Sequence, residues 1–307
     1  MKFQAVKDAT VSNDIIIDRI LGSVIPVLIV VLIGYAYGRW RKPDMSMINK
    51  LCMELLVPIL IFSVLAGKDV QLNEYVTLAL GVVCIILGCG LITWLLCLFF
   101  KIESKTFVPP MMFTNTGNLA FPLVLLAFGQ EAMPSIVIVF IVSQFLHFSL
   151  GFYILNREAK IINPISAPTI LATMIGMTFA LTPVEVNETI LVPLDFLANT
   201  GVTLVLFALG IRMNSVSTRD LKIAVLGAIW CPLISLVIAF LLKPLLDLNP
   251  IQWSVFLLFA ALPPAVLCFM LAEQYKQEPT RVASIVLIGN IAAIVWVPLA
   301  LALAPPI

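Results

Sequence analysis

The chain has 307 residues, of which 61% are hydrophobic and only 11% charged, with a mean hydropathy of +1.10. That balance excludes an ordinary soluble domain and predicts an all-α integral membrane protein. The 18 basic and 17 acidic side chains leave a net charge of +1, which argues against a nucleic-acid or strongly acidic partner.

Residues 1–19 mix charges and have no small-residue cleavage site after a short apolar core, so they are expected to form an exposed or interfacial lead-in. Ten apolar runs follow, at 20–38, 47–67, 75–100, 106–128, 133–155, 163–182, 190–210, 221–242, 251–272 and 282–304. A helix needs roughly 20 residues to cross the hydrocarbon core of a bilayer, so each run is a candidate span. Spans 1 to 10 use most of the chain and leave no room for a separate soluble domain. The loops after odd-numbered spans carry thirteen Lys and Arg, against five on the other side (Lys2, Lys7, Arg19, Lys68 and Lys243). The positive-inside rule then puts the first group in the cytoplasm and both termini outside a plasma (inner) membrane.

Within the spans, polar residues are few and placed. Span 4 is interrupted by Thr114, Asn115, Thr116, Gly117 and Asn118, followed by Pro122. Gly permits non-helical backbone and Pro removes a donor from the preceding turn, so the middle of this span is expected to unwind, with a new half-helix starting near Phe121. Unwound backbone at bilayer depth is tolerated only where protein buries it or where it lines a cavity. Gln144 and His147 lie three apart on one face of span 5. An intramembrane ionisable group is a functional hypothesis by default, weighed here against a neutral, hydrogen-bonded core histidine. Asp195 in span 7 fits either a proton acceptor or an interfacial residue. Span 9 contains Pro263 and Pro264, which break a helix almost by necessity, and Glu273 at its end. Span 10 contributes Asn290. The six cysteines all fall inside spans, with no C-x-x-C pair or His cluster, and are read as small packing residues rather than metal ligands. No enzyme signature, nucleotide loop or cofactor motif accompanies them.

The two halves also resemble each other. Pro26 and Gly34 match Pro168 and Gly176, Pro58 and Gly67 match Gly201 and Gly210, and Leu126-Ala127 matches Leu271-Ala272, all at nearly one offset. This predicts two five-helix repeats, 20–156 and 161–304. Because five is odd, the second is inverted in the membrane, an architecture common in secondary transporters. The break near Asn118 then corresponds to the break at Pro263 and Pro264. Two half-helix N-termini meeting from opposite sides carry partial positive charge and favour an anion, most simply a carboxylate. Asn115 and Asn118 can cap the freed backbone, contact the guest, or both.

The stretch Asn115-Thr116-Gly117-Asn118-Leu119-Ala120-Phe121-Pro122 resembles the fourth-span signature of the auxin efflux carrier family, which includes bacterial relatives of the plant PIN transporters. Leu262-Pro263-Pro264-Ala265, followed by Leu271-Ala272-Glu273-Gln274-Tyr275, is similar to that family's ninth span. The resemblance covers all ten spans. It implies that spans 4 and 9 cross at their breaks, that spans 3–5 and 8–10 move as a unit, and that spans 1, 2, 6 and 7 form a scaffold and homodimer surface. It also implies an elevator-type secondary transporter of a small organic anion. Asn115, Gly117, Asn118, Pro122, Pro263, Pro264, Gln144, His147 and Asn290 are the expected substrate site. Asp195, His147 and Glu273 are the candidates for coupling to H+ or Na+. A sodium-coupled anion symporter, a cation/proton antiporter and a non-transporting anion sensor are the rival readings.

Overall fold

The computed structural model describes residues 2–67, 72–155, 168–182, 184–215 and 220–305. Among these, every regular element is helical, and the one β-type contact is an isolated antiparallel bridge between Thr114 and Pro264. Helix α1 runs Lys2–Arg41. The expected lead-in is therefore helical, because nothing between residues 2 and 19 is Gly or Pro and no stop signal separates it from the apolar run. Next come α2 (Ser46–Leu51) and α3 (Val57–Ala66), joined by a wide π-turn at Cys52–Leu56. Helix α4 spans Val76–Phe100. The expected fourth span is two pieces, α5 (Ser104–Met112) and α6 (Phe121–Phe128), the latter preceded by a π-turn at Thr116–Ala120. Helix α7 (Met133–Leu146) passes through a π-turn at His147–Gly151 into α8 (Phe152–Leu155).

In the second half, α9 is Pro168–Leu181, α10 Glu188–Arg212 and α11 Leu221–Leu242. The expected ninth span is again split, into α12 (Pro250–Ala261) and α13 (Val266–Gln274), and α14 runs Pro279–Leu303. The linker between the halves, 156–167, with Arg157 and Lys160, lies outside the described residues, as do Lys68 and Arg219.

Among the described residues, six helical stretches are long and apolar enough to cross a membrane: Ile17–Arg41, Asn73–Phe100, Gln130–Leu155, Glu188–Arg212, Leu221–Leu242 and Pro279–Leu303. The chain is a multi-pass membrane protein. Four shorter apolar helical stretches, Cys52–Ala66, Thr116–Phe128, Pro168–Leu181 and Pro250–Ala261, accompany them. Two of these are short because a break divides the apolar run.

Packing sorts the helices into two groups. In the first, α1 lies along α10, while α3 packs on both α9 and α10. At Gly34 and Gly210 the backbones of α1 and α10 touch: a Cβ on Gly34 would run into the Phe207 carbonyl, and one on Gly210 into the Val31 carbonyl. Small residues that let backbones approach are the usual means of helix association in lipid, where apolar burial supplies no drive. In the second group, α4, α5, α7, α11, α12, α13 and α14 pack on one another. Here half-buried indoles find acceptors, as lipid requires: Trp230 donates to Thr93 (3.0 Å) and Trp296 to the Ala228 carbonyl (3.0 Å).

The ends of the bundle differ in charge. At one end, Thr106 donates to Glu278 (2.7 Å), Arg281 pairs with Glu278 and Asp220, and Asn214 donates to the Tyr35 carbonyl. At the other, Arg19 donates to the Pro305 carbonyl (2.9 Å), Gln252 to the Glu74 carbonyl, and Ser63 hydrogen-bonds Asp195. The first end gathers Arg39, Arg41, Lys101, Lys222 and Lys276 with these groups.

Candidate functional site

Two interruptions face each other at the centre of the second group. In the first, the chain leaves α5 at Phe113 in extended conformation (φ −111°, ψ 115°) and re-enters a helix at Thr116. The non-helical residues are therefore Phe113, Thr114 and Asn115, about one turn earlier than the sequence predicts. Asn115 caps the new helix: its side chain accepts from the Asn118 N–H (3.4 Å). Residues 116–120, expected to be unwound, coil as a π-turn. Pro122, which offers no N–H, follows inside the wound segment rather than starting it.

In the second interruption, Pro263 and Pro264 force the residues before them out of helical geometry, and Leu262 (ψ 146°) and Ala265 (ψ 139°) are both extended. Helix α13 restarts at Val266, so Pro264 sits in the bridge and not in the first helical turn.

The two breaks cross as a minimal antiparallel ladder. The Asn115 N–H donates to the Pro263 carbonyl (2.8 Å), and the Ala265 N–H donates to the Phe113 carbonyl (2.9 Å). Thr114 and Pro264 form the pair between them, a position whose own N–H is not used by the ladder. Proline is tolerated there for that reason, and it leaves no orphan donor in a buried break.

Asn290 of α14 locks the crossing. Its Nδ2 donates to the Pro264 carbonyl (3.1 Å) and the Val286 carbonyl (2.7 Å), while its Oδ1 accepts from Asn115 Nδ2 (2.8 Å). Gly289 lets α14 come this close, since a Cβ there would stand 2.6 Å from Pro264 Cδ. Behind the crossing, His147 is almost fully buried and stacks on Phe113 (centroids 4.1 Å apart, planes 5° apart). Its Nε2 lies 3.6 Å from Cys268 Sγ. Cys231 Sγ lies 3.9 Å from the carbonyls of Met111 and Leu262, so thiols stand against carbonyls where α5 and α12 end. The hydroxyls of Thr114 and Thr116 are buried without a protein hydrogen-bond partner.

A cavity of about 250 Å³ opens between α10 of the first group and α13 and α14 of the second. Arg212, Met213, Val266, Phe269, Leu287 and Asn290 are among its walls. A narrower cleft of about 50 Å³ shares Leu209, Met213 and Asn290 with it and reaches Val24, Val27 and Leu119. The combined space thus touches Val266, the first residue of α13, and Leu119, in the first turn after the other break.

The expected site residues fall into three places. Asn115, Pro263, Pro264 and Asn290 meet at the crossing, with Asn118 buried one turn away and Gly117 facing the Phe140 ring, 3.1 Å from where a Cβ would lie. Gln144 and His147 do not belong to the walls of the cavity or cleft that reach Asn290. Asp195 is exposed on α10 beside Ser63, fourteen residues from Leu209 and so about 20 Å away along the helix axis. Glu273 is exposed at the end of α13. Gly289, Arg212 and the two threonine hydroxyls are features that sequence reasoning did not single out. The doublet Gly289-Asn290 in an otherwise apolar span was the available signal.

Known proteins resemble this chain along nearly its whole length. A family model described as membrane transport protein matches residues 19–164 and 158–301. An uncharacterized transporter of Methanocaldococcus jannaschii is 24% identical over 288 residues, covering 86% of this chain and 92% of that protein. An uncharacterized transporter of Methanothermobacter thermautotrophicus is 27% identical over 299 residues, covering 90% and 96%. With these matches and its paired helix breaks, the chain belongs to the membrane transport proteins of the auxin efflux carrier family and is a membrane transporter, not an enzyme.

Proposed function

We propose that this protein is a secondary transporter of a small organic anion, most simply a carboxylate, working by alternating access around the crossed breaks. The observation that carries this reading is the cavity at Asn290. Two helix starts, at Val266 and beside Leu119, border it and its adjoining cleft, and each brings partial positive charge to the space. An anion is the favoured guest there. At the crossing itself, the buried hydroxyls of Thr114 and Thr116 are two further donors.

The movement follows from the packing. The cavity lies on the seam between α1, α3, α9 and α10, taken as scaffold, and the group that carries the crossing. Sliding the second group against the first, in an elevator motion, carries the breaks and their guest past the scaffold. In this reading the chain makes ten membrane crossings as two inverted repeats. The basic end faces the cytoplasm and both termini lie outside the inner membrane. Exposed apolar side chains on α1, α9 and α10 (Ile25, Ile29, Leu171, Met174 and Phe196) support a homodimer through the scaffold. Asp195 and Glu273 stand away from the crossing, so coupling to H+ or Na+ through either acts at a distance from the guest.

Asn118→Ala tests the site. Asn118 precedes Leu119 of the cleft wall, and in this reading its amide reaches the guest. Labelled benzoate flux into liposomes containing the purified variant is therefore expected to fall at least about tenfold, the weight of a lost buried hydrogen bond to a charged guest. The variant should remain monodisperse on size exclusion. Flux equal to that of the unaltered protein would remove Asn118 from the site.

A further inference from the structure

The cavity beside the crossing contains one residue that its apolar surroundings do not explain. Its lining includes Leu209, Val266, Phe269, Met270 and Leu287, yet Arg212 stands among them with Asn290. Arg212 ends α10, in the scaffold group, whereas Asn290 sits on α14, in the group that carries the breaks. The cavity is thus closed by one charged group from the first group and one amide from the second.

We propose that Arg212 is the charge-selecting residue of this cavity, and that it fits an amphipathic monocarboxylate rather than a dicarboxylate or a neutral analogue. The proposal rests on the transport reading above and adds the residue and the charge number. A carboxylate on Arg212 receives parallel N–H donors in the fork geometry that suits it. A guanidinium has five such donors, so the interaction Arg212 already holds within the protein does not exclude a second acceptor. Asn290 marks the inner end of the cavity, its two amide hydrogens already donated to the Pro264 and Val286 carbonyls, and Phe269, Met270 and Leu287 receive the apolar body. A second carboxylate on the guest would be buried against those apolar walls without a cationic partner, and an unpaired buried charge is disfavoured.

Because Arg212 belongs to the scaffold and Phe269, Met270 and Leu287 do not, their joint hold on the guest depends on how the two groups are placed. It is strongest in the arrangement described here and is broken when the groups slide. That gives a reason for the guest to be bound at this end and let go at the other.

The test uses the full chain in liposomes with labelled benzoate and succinate. The unaltered protein should carry benzoate in preference to succinate. Arg212→Gln should raise the KM for benzoate about 10- to 100-fold, as expected for losing a charge-assisted contact, while Arg212→Lys should lie between the two. A KM for benzoate within twofold of the unaltered protein in folded Arg212→Gln overturns the proposal, as does a preference for succinate.

A second readout separates this idea from the transport reading. N-ethylmaleimide labelling of Ala283→Cys in the cavity wall, followed by mass spectrometry at that residue, should be slowed by benzoate but not by benzamide. If no anion is carried but benzoate alone protects, the transport reading fails and the charge-selecting cavity stands. Equal protection by both compounds, or none by benzoate, overturns the cavity assignment without requiring any Arg212 variant to fold.

Discussion

Asn115→Ala is expected to reduce benzoate flux by at least about 100-fold, the scale of loss when a binding geometry shifts by about 1 Å. Asn115 is where the two breaks are tied to each other and to α14. Its backbone N–H supplies half of the ladder to Pro263, its Nδ2 holds Asn290 Oδ1 at 2.8 Å, and its Oδ1 caps the Asn118 N–H. Alanine keeps the first bond and removes the other two. Asn290 Oδ1 and the Asn118 N–H then lack these partners in a buried setting. Interhelical hydrogen bonds in membrane proteins average about 0.6 kcal/mol and reach about 1.7, so the two together cost roughly 1–3 kcal/mol. That lowers the thermal midpoint without unfolding the chain. Flux assayed beside a melting curve separates loss of geometry from loss of fold, and undiminished flux would mean that the crossing tolerates an untied Asn290.

Gly210→Leu is expected to yield no folded protein at all. The α1–α10 contact is backbone to backbone, and any side chain at 210 enters the space of the Val31 carbonyl. The helices must separate, and dispersion contacts along their whole length are lost with them, which in lipid is most of what holds a helix pair. Gly22 of α1 faces open space, with nothing within 4 Å of where a Cβ would lie, so Gly22→Leu is the control and should be tolerated. Fluorescence-detected size exclusion distinguishes the two: a monodisperse peak for Gly22→Leu and aggregate for Gly210→Leu.

Most of the helical segments were legible because length and hydropathy in a membrane chain leave few alternatives. The second break was also legible, since two adjacent prolines dictate extended backbone at Leu262 and Pro263 whatever surrounds them. The first break was located only to within a turn. Short polar residues at Thr114, Asn115 and Thr116 signal where a helix stops, but whether Asn115 caps a new helix at once or several residues later depends on its partners. One of those is Asn290, 175 residues away. A proline at Pro122 suggests a helix start, yet a π-turn absorbs the same missing donor. Gln144 and His147 show a related limit. A three-residue spacing implies a shared face only if the α period continues, and the register changes at His147. His147 is then occupied by Phe113 rather than by the cavity. Gly289 and Arg212 owe their meaning to Pro264 and to the α13 wall, neighbours that no local pattern names.

In the proposed transport cycle an anion binds where the crossed breaks meet the scaffold. A structure determined with 4-bromobenzoate, using the anomalous signal of bromine, locates that anion. One strong bromine peak is expected within the cavity beside Phe269 and Leu287, with the carboxylate directed toward Arg212. A peak confined to the lipid-facing surface, or to the separate depression lined by Ser63, Glu131 and Asp195, would rule this out.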